Sequence, residues 1–301
     1  MTAPKAIPFV REMWFRYGRA ERLSPLIRRV TARNPGPFTF TGTGTYIVGH
    51  DEVAVIDPGP PDHRHLEALL EAVKGERVSH VLVTHTHTDH SPLARPFAEA
   101  TGAPILAARP PALPSLETVA EEGDDASFRP DVVLTGGEVV SGPGWTLEAM
   151  ATPGHASNHM AFALREENAL FPGDHVMGWS TTVVTPPDGD MDAYLASLDA
   201  VAAQDFATLW PTHGPPVTEV APFLAAYRAH RLAREAQILA RLEAGDRTIG
   251  EMVPVLYAAV DRRLWPAASL SVLAHLIRLV RLGRVTSDGP VEMGSSFRLA
   301  R

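Results

Sequence analysis

Three histidines and an aspartate lie within six consecutive positions of the chain, directly after an apolar segment typical of a β-strand. Imidazole nitrogens and carboxylate oxygens are the ligands with which proteins bind zinc and other divalent transition metals. Alternate residues at the extended end of a strand point the same way, so His85 and His87 can reach one ion. Asp89 and His90, just past the turn, can reach a second ion nearby. The segment therefore predicts a centre for two metal ions.

Three further polar residues have the same position relative to predicted strands. Each follows an apolar strand-like segment and lies beside Pro or Gly, which turn the chain sharply. Sheet proteins build sites at such places because strands fix positions while the following loops expose side chains. Taken singly, each could be an ordinary surface or core residue, but with the histidine segment they complete two ligand sets. They are His155, Asp174 and His213.

The composition excludes several kinds of site. None of the 301 residues is cysteine, so neither disulfides nor thiolate metal sites can form. With 45% hydrophobic and 21% charged residues, the chain is typical of a globular protein and long enough for a large and a small domain. No apolar run reaches the length of a membrane span, and residues 1–20 lack a long apolar core. We therefore expect a cytoplasmic protein without a membrane partner.

The charge is unevenly distributed along the chain. Residues 225–301 contain 12 Arg, no Lys and 7 acidic residues, a net charge of +5, whereas the whole chain carries −8. A basic C-terminal segment on an acidic body is one signature of nucleic-acid binding. An excess this small is equally consistent with an ordinary solvated surface.

Short strand patterns alternate with helix patterns through the first two-thirds of the chain. Apolar segments at 53–56, 78–84 and 104–107 predict buried strands, with an amphipathic helix at 63–74. Further along, the pattern becomes richer in strands. Residues 108–130, rich in Pro, Glu and Asp, predict an irregular insertion. The mixture favours an α/β or α+β body with layered sheets.

The last third of the chain has helical patterns followed by a short strand pattern. Amphipathic helices are predicted at 222–244, 248–257 and 267–282, and a capping box opens the second of them. Residues 284–298, interrupted by Asp-Gly, predict a β-hairpin. Three helices followed by a hairpin is the order of a winged helix-turn-helix.

These patterns divide the chain into two predicted domains. Residues 1–220 carry the candidate metal ligands, and residues 221–301 form a winged-helix-like C-terminal domain. The second domain could bind nucleic acid, act as a lid or form a dimer contact.

The candidate ligands resemble those of the metallo-β-lactamase superfamily. Its motif H-x-H-x-D-H is followed by a His, an Asp and a final His, and the turn at Asp57, Pro58 and Gly59 resembles its early Asp turn. The C-terminal winged helix is similar to that of the lactamase-β-like protein 2 group. All seven motif positions match: His85, His87, Asp89, His90, His155, Asp174 and His213.

The resemblance implies an α+β fold, a four-layer αβ/βα sandwich with the site at one edge of two facing sheets. It also implies two divalent metal ions, for which zinc is expected and manganese or iron is possible. In that arrangement one ion is bound by His85, His87 and His155, the other by Asp89, His90 and His213, and Asp174 bridges both.

The activity implied is hydrolysis. A metal ion lowers the pKa of water from about 15.7 to about 7, so a hydroxide bridging two ions can attack a carbonyl or phosphorus centre. Asp89 is the expected catalytic residue, because it would hold this hydroxide and accept its proton. The basic C-terminal domain, together with the resemblance to the lactamase-β-like protein 2 group, suggests an endoribonuclease acting on single-stranded RNA. A thioester or small acyl-ester hydrolase similar to glyoxalase II is the alternative, and a nucleic-acid-binding protein using the winged helix is a third hypothesis.

Other residues near the candidate ligands have weaker signals. His159 and His175 are predicted to support the ligands or the structure rather than to bind metal. Residues 179–182 could line a substrate cleft. Arg278 and Arg281, on the third C-terminal helix, could contact phosphates, although such arginines more often form the solvated face of a helix.

Overall fold

Two β-sheets face each other in the computed structural model, which describes residues 6–111 and 123–300. The first sheet has seven strands in chain order, antiparallel from the first to the fourth and parallel from the fourth to the seventh. They are β1 (Ala20–Arg22), β2 (Ile27–Thr31), β3 (Gly44–His50), β4 (Glu52–Ile56), β5 (Arg77–Leu82), β6 (Ile105–Ala107) and β7 (Val132–Val133).

The second sheet has five strands, also adjacent in chain order. They are β8 (Val139–Gly142), β9 (Trp145–Ala151), β10 (Met160–Leu164), β11 (Ala169–Phe171) and β12 (Thr208–Leu209). All pairs are antiparallel except the last, β11 with β12. A parallel pair needs a crossover connection, and helix α3 (Met191–Ala202) lies within it.

Alternating side chains of the strands divide the core into layers. Ala54 and Ile56 of β4 pack between the two sheets, whereas Val53 and Val55 pack against the outer helices. Helices α1 (His63–Ala72) and α2 (Ala94–Thr101) cover the first sheet. Helices α3 and α4 (Val220–Glu243) cover the second. The predicted four-layer αβ/βα sandwich is confirmed.

The C-terminal segment forms its own small core. Helices α5 (Ile249–Leu256) and α6 (Trp265–Arg281) pack with the end of α4 and with the antiparallel hairpin of β13 (Val285–Ser287) and β14 (Phe297–Leu299). The predicted capping box at the start of α5 is present: Thr248 accepts from the Glu251 backbone, and the Glu251 side chain accepts from the Thr248 backbone. The predicted winged-helix order is therefore confirmed.

Helix α4 belongs to two cores. Phe223 and Tyr227, in its first half, pack under the second sheet, whereas Ile238 and Leu242, in its second half, pack in the C-terminal core. The helix therefore packs against both parts of the chain. The domain boundary at 220/221 stays a prediction.

The strand pattern missed the edge of the first sheet. β1 is short and solvent-exposed, so it lacks the apolar alternation by which a strand is recognised. Part of the predicted irregular insertion, residues 112–122, lies outside the described residues. Among the helices that the structure describes, none combines the length and apolar character needed to cross a membrane.

Candidate metal centre

The seven candidate ligands meet at one edge of the two sheets. The histidine segment directly follows β5, His155 lies between β9 and β10, Asp174 follows β11 and His213 follows β12. All seven residues are buried. The structure therefore brings together every sequence-predicted ligand.

The first group of ligands is a triangle of imidazoles. Nε2 of His85 lies 2.9 Å from Nδ1 of His87, which lies 3.1 Å from Nε2 of His155. Nitrogen atoms of all three rings lie within 4.8 Å of one another, close enough to surround one ion.

A second group forms around two carboxylates. Oδ2 of Asp89 lies 2.9 Å from Nε2 of His213 and 3.3 Å from Nε2 of His90. Asp174 lies between the groups: its oxygens are 3.4 Å from His213, 3.6 Å from His90 and 3.9 Å from His155. A carboxylate in this position can contribute to both groups.

Two buried atoms at the centre have no hydrogen-bond partner among the described residues. They are Nε2 of His90 and Oδ1 of Asp174, which lie 3.6 Å apart. An unsatisfied buried polar atom is costly, and a bound cation would satisfy an imidazole lone pair and a carboxylate oxygen at once. The donor set therefore fits divalent metal ions held by nitrogen and oxygen.

The imidazole triangle is electrically neutral. Burial lowers the pKa of His85, His87 and His155, and further positive charge on neighbouring histidines lowers that of His85 and His87. The pKa of His87 falls to about 3. Neutral rings keep the lone pairs that a metal ion needs.

The second ligand group, around Asp89 and Asp174, contains charged side chains. Burial would raise the pKa of Asp89 and Asp174, but neighbouring histidines outweigh it and hold both pKa values well below the usual range. Burial likewise opposes charge on His90 and His213, yet the carboxylates raise the pKa of His213 to about 10 and that of His90 well above normal. The two buried anions therefore strongly favour positive charge beside them.

Hydrogen bonds orient four of the five ligand imidazoles through Nδ1, so that Nε2 points into the site. Three are directed at oxygens outside the triangle: His90 donates to Oδ2 of Asp57 at 2.9 Å, His155 to the carbonyl of Val183 at 2.7 Å, and His213 to that of Gly42 at 3.3 Å. In His85, Nδ1 lies 3.0 Å from Oγ1 of Thr84, which itself donates to Asp57.

Asp57 supports the site without joining it. Its carboxylate accepts from the backbone and hydroxyl of Thr84, both at 2.7 Å, as well as from His90. We expect Asp57→Asn to weaken metal binding by about ten- to a hundred-fold, because the amide cannot accept from all these donors. Competition with a chromophoric chelator measures the affinity. Asp62→Asn is the control, since Asn caps α1 as well as Asp does; an equal affinity in both variants would contradict the role of Asp57.

Gly154 fixes the turn that presents His155. Its φ is +140°, and a Cβ there would lie 2.3 Å from Cα of Tyr194 in α3. We expect Gly154→Ala to destabilise the fold by about 2–4 kcal/mol and to weaken metal binding. Gly250→Ala is the matched control because nothing lies within 4 Å of its Cβ position in α5, and it should stabilise by up to about 1 kcal/mol. Urea unfolding distinguishes them, and equal stability changes would refute this prediction.

His159 and His175 are buried next to the ligands but belong to neither ligand group. Nε2 of His159 accepts from the backbone of Asp174 at 3.2 Å, while Nδ1 lies 2.8 Å from Oγ1 of Thr152. His159 therefore positions a ligand, in line with the sequence prediction.

A cavity of about 350 Å³ opens from the ligand groups toward the C-terminal helices. The segment at residues 179–182 lines it, in line with the sequence prediction, and so do His230, Arg231 and Arg234 of α4, which sequence reasoning missed. The sequence contains one signal for Arg231. Arg231 continues the buried face of α4 four residues after Tyr227, where an apolar residue is expected.

Arg278 and Arg281 have acidic partners within the chain. Nε of Arg278 lies 2.7 Å from Oδ1 of Asp192, and its Nη1 is 2.8 Å from Oε2 of Glu235. Arg281 pairs with Asp190, the N-cap of α3. These arginines connect α6 to the sandwich, so the structure offers no support for a role in contacting phosphates.

Comparisons with known proteins agree with this geometry. Residues 39–213 match the sequence model of the metallo-β-lactamase superfamily, and residues 248–292 match the β-lactamase-associated winged helix domain. An atrochrysone carboxyl ACP thioesterase of Paecilomyces divaricatus is 33% identical over 90% of this chain and 83% of its own. The β-lactamase-like protein 2 homolog of Caenorhabditis elegans is 31% identical over 90% of this chain and 88% of its own.

A solved structure shows the same architecture. It is a metallo-β-lactamase family protein from Thermus thermophilus, 25% identical, with a TM-score of 0.74 over 92% of this chain and 100% of its own. The similarity thus extends over both the sandwich and the C-terminal helices.

Proposed function

The chain belongs to the metallo-β-lactamase superfamily, and we propose that it is a metal-dependent thioesterase acting on a small-molecule acyl thioester. The cavity carries this proposal. Candidate ligands line part of its wall, and Met177, Trp179, Val260 and Leu264 contribute apolar surface. A volume of about 350 Å³ suits a small molecule with an apolar portion.

The relatives support the same substrate class. The Paecilomyces divaricatus relative is named as a thioesterase of an acyl carrier protein, and its similarity covers 90% of this chain. The endoribonuclease expected from the sequence rested partly on a basic C-terminal surface, and Arg278 and Arg281 of that surface pair with acidic residues of this chain. The thioesterase is therefore the better-supported hydrolase.

We propose zinc at both positions, with Asp174 between them. One ion would be held by His85, His87 and His155, and the other by Asp89, His90 and His213. When bound, such ions lower the pKa of water to about 7 and polarise the thioester carbonyl.

Asp89 is the proposed catalytic residue. Its carboxylate, ionised and fixed by His213 at 2.9 Å, is suited to hold the attacking water and accept its proton. The oxygen of this water attacks the thioester carbonyl carbon. The tetrahedral intermediate then collapses, and the C–S bond breaks. The thiolate takes up a proton, so the products are a carboxylic acid and a thiol.

Thiol release from S-butyryl-N-acetylcysteamine tests the proposal. We expect release that requires bound metal, is lost in His87→Ala and persists in the control His63→Ala, whose side chain is exposed. The rate should change little between about 50 and 200 mM salt, because a neutral thioester makes no phosphate contacts. Metal-loaded protein that releases no thiol from this or longer acyl thioesters would overturn the proposal.

A further inference from the structure

Two arginines of α4 line the cavity and have no acidic partner among the residues that the structure describes. Arg231 is only 3% exposed. Its Nη2 donates to the carbonyl of Thr182, and its guanidinium lies 5.0 Å from the centre of the Tyr194 ring. Its buried Nε has no hydrogen-bond partner among the described residues.

Arg234 follows one helical turn later on the same wall. Its Nη1 donates to Oε1 of Gln237 at 2.9 Å and to the carbonyl of Leu256 at 3.0 Å. The guanidinium lies 4.1 Å from the centre of the Tyr257 ring. Within residues 6–111 and 123–300, no carboxylate forms an ion pair with Arg231 or Arg234.

Other arginines of α4 and α6 form ion pairs with acidic residues. Arg228 pairs with Asp199, Arg241 with Asp246, and Arg278 with Asp192 and Glu235. A shielded guanidinium without a counter-ion is costly, so a pair of them in a cavity indicates an anion supplied by a ligand. The neighbouring His230 is consistent with a positive local potential: burial, with Arg231 and Arg234, lowers its pKa to about 4.

We propose that Arg231 and Arg234 form an anion subsite that binds an oxyanion group carried by the thioester substrate. This inference deepens the proposed function and rests on it. The thioester carbonyl would lie at the ligand groups, the uncharged chain against Trp179 and Val260, and the oxyanion at the arginines. The oxyanion is either a carboxylate at the far end of the acyl chain or the phosphate of a phosphopantetheine thiol, and both suit guanidinium groups.

Paired substrates separate these two sources. The first pair is glutaryl-N-acetylcysteamine thioester and its methyl ester, which differ only in the acyl carboxylate. The second pair is S-butyryl-4′-phosphopantetheine and S-butyrylpantetheine, which differ only in the phosphate. The measured quantity in each pair is the ratio of kcat/KM for the charged substrate to that for the neutral one.

We expect one of the two kcat/KM ratios to be about 10 to 100 in the wild-type protein and to approach one in Arg234→Gln. Arg228→Gln is the matched control, because Arg228 lies on the exposed side of α4 and is paired with Asp199; it should keep the wild-type ratio. Arg231→Lys, which retains the charge of the buried residue, should give an intermediate ratio. The pair that shows the preference identifies the source of the oxyanion.

Ratios near one for both pairs in the wild-type protein, or a preference that survives Arg234→Gln, would overturn the subsite. If no thioester is hydrolysed, the proposed function fails, and calorimetric titration with glutarate and with 4′-phosphopantetheine then decides the subsite alone. Binding of either probe that is lost in Arg234→Gln and kept in Arg228→Gln upholds it. Absence of binding overturns it.

Discussion

Asp174→Ala is expected to remove bound metal and hydrolytic activity together. The oxygens of Asp174 approach ligands of both groups, 3.4 Å from His213 and 3.9 Å from His155. Its removal leaves each group short of a ligand and takes one buried negative charge from the centre. We expect kcat/KM for an acyl thioester to fall by about a thousand-fold or more.

Metal content is the decisive measurement for this variant. The metal content measured by elemental analysis should fall from about two ions per chain to about one or none. Asp199→Ala, which removes an exposed carboxylate paired with Arg228, should keep both metal and activity. Full metal occupancy in Asp174→Ala would show that this carboxylate is not a shared ligand.

Chelation of the metal is expected to lower the melting temperature by about 10 °C. The centre buries the carboxylates of Asp89 and Asp174 among histidines, and cations stabilise this arrangement only in the folded chain. Metal at about a thousand times its dissociation constant stabilises by about 4 kcal/mol, and each kcal/mol shifts the midpoint by about 2–4 °C in a protein somewhat smaller than this one.

Calorimetry with and without a chelator measures this shift. Returning zinc should restore the midpoint, and Asp174→Ala should respond much less to the chelator than the wild-type protein does. If the chelator leaves the melting temperature of the metal-loaded wild-type protein unchanged, the metal does not stabilise the fold and this prediction is wrong.

The metal ligands could be predicted because their signals are local. His85 and His87 are two residues apart on a strand end, and strand geometry alone places both on one side. Asp174 and His213 needed the added rule that strand ends gather at a sheet edge. Their assignment to particular ions came from the family resemblance, and the distances around Asp174 are consistent with it.

The cavity wall could not be predicted in the same way. Arg231 and Arg234 reach the site only because α4 crosses over it, a consequence of packing between distant segments. The net charge of +5 pointed to nucleic acid, but charge counting cannot reveal partners such as Asp190 and Asp192, which lie before the basic segment in the sequence. A glycine at position 154 indicates a turn from the sequence alone. The close approach of Gly154 to Tyr194 depends on how α3 packs and could not be predicted.

A direct competition between the two hydrolase hypotheses tests the central claim. One metal-loaded preparation, with its metal counted, is assayed in parallel on end-labelled single-stranded RNA and on S-butyrylpantetheine, beside His87→Ala. We expect thiol release that disappears in His87→Ala and RNA that stays intact. RNA cleavage that requires His87, without thiol release from the same preparation, would contradict the thioesterase and restore the nuclease.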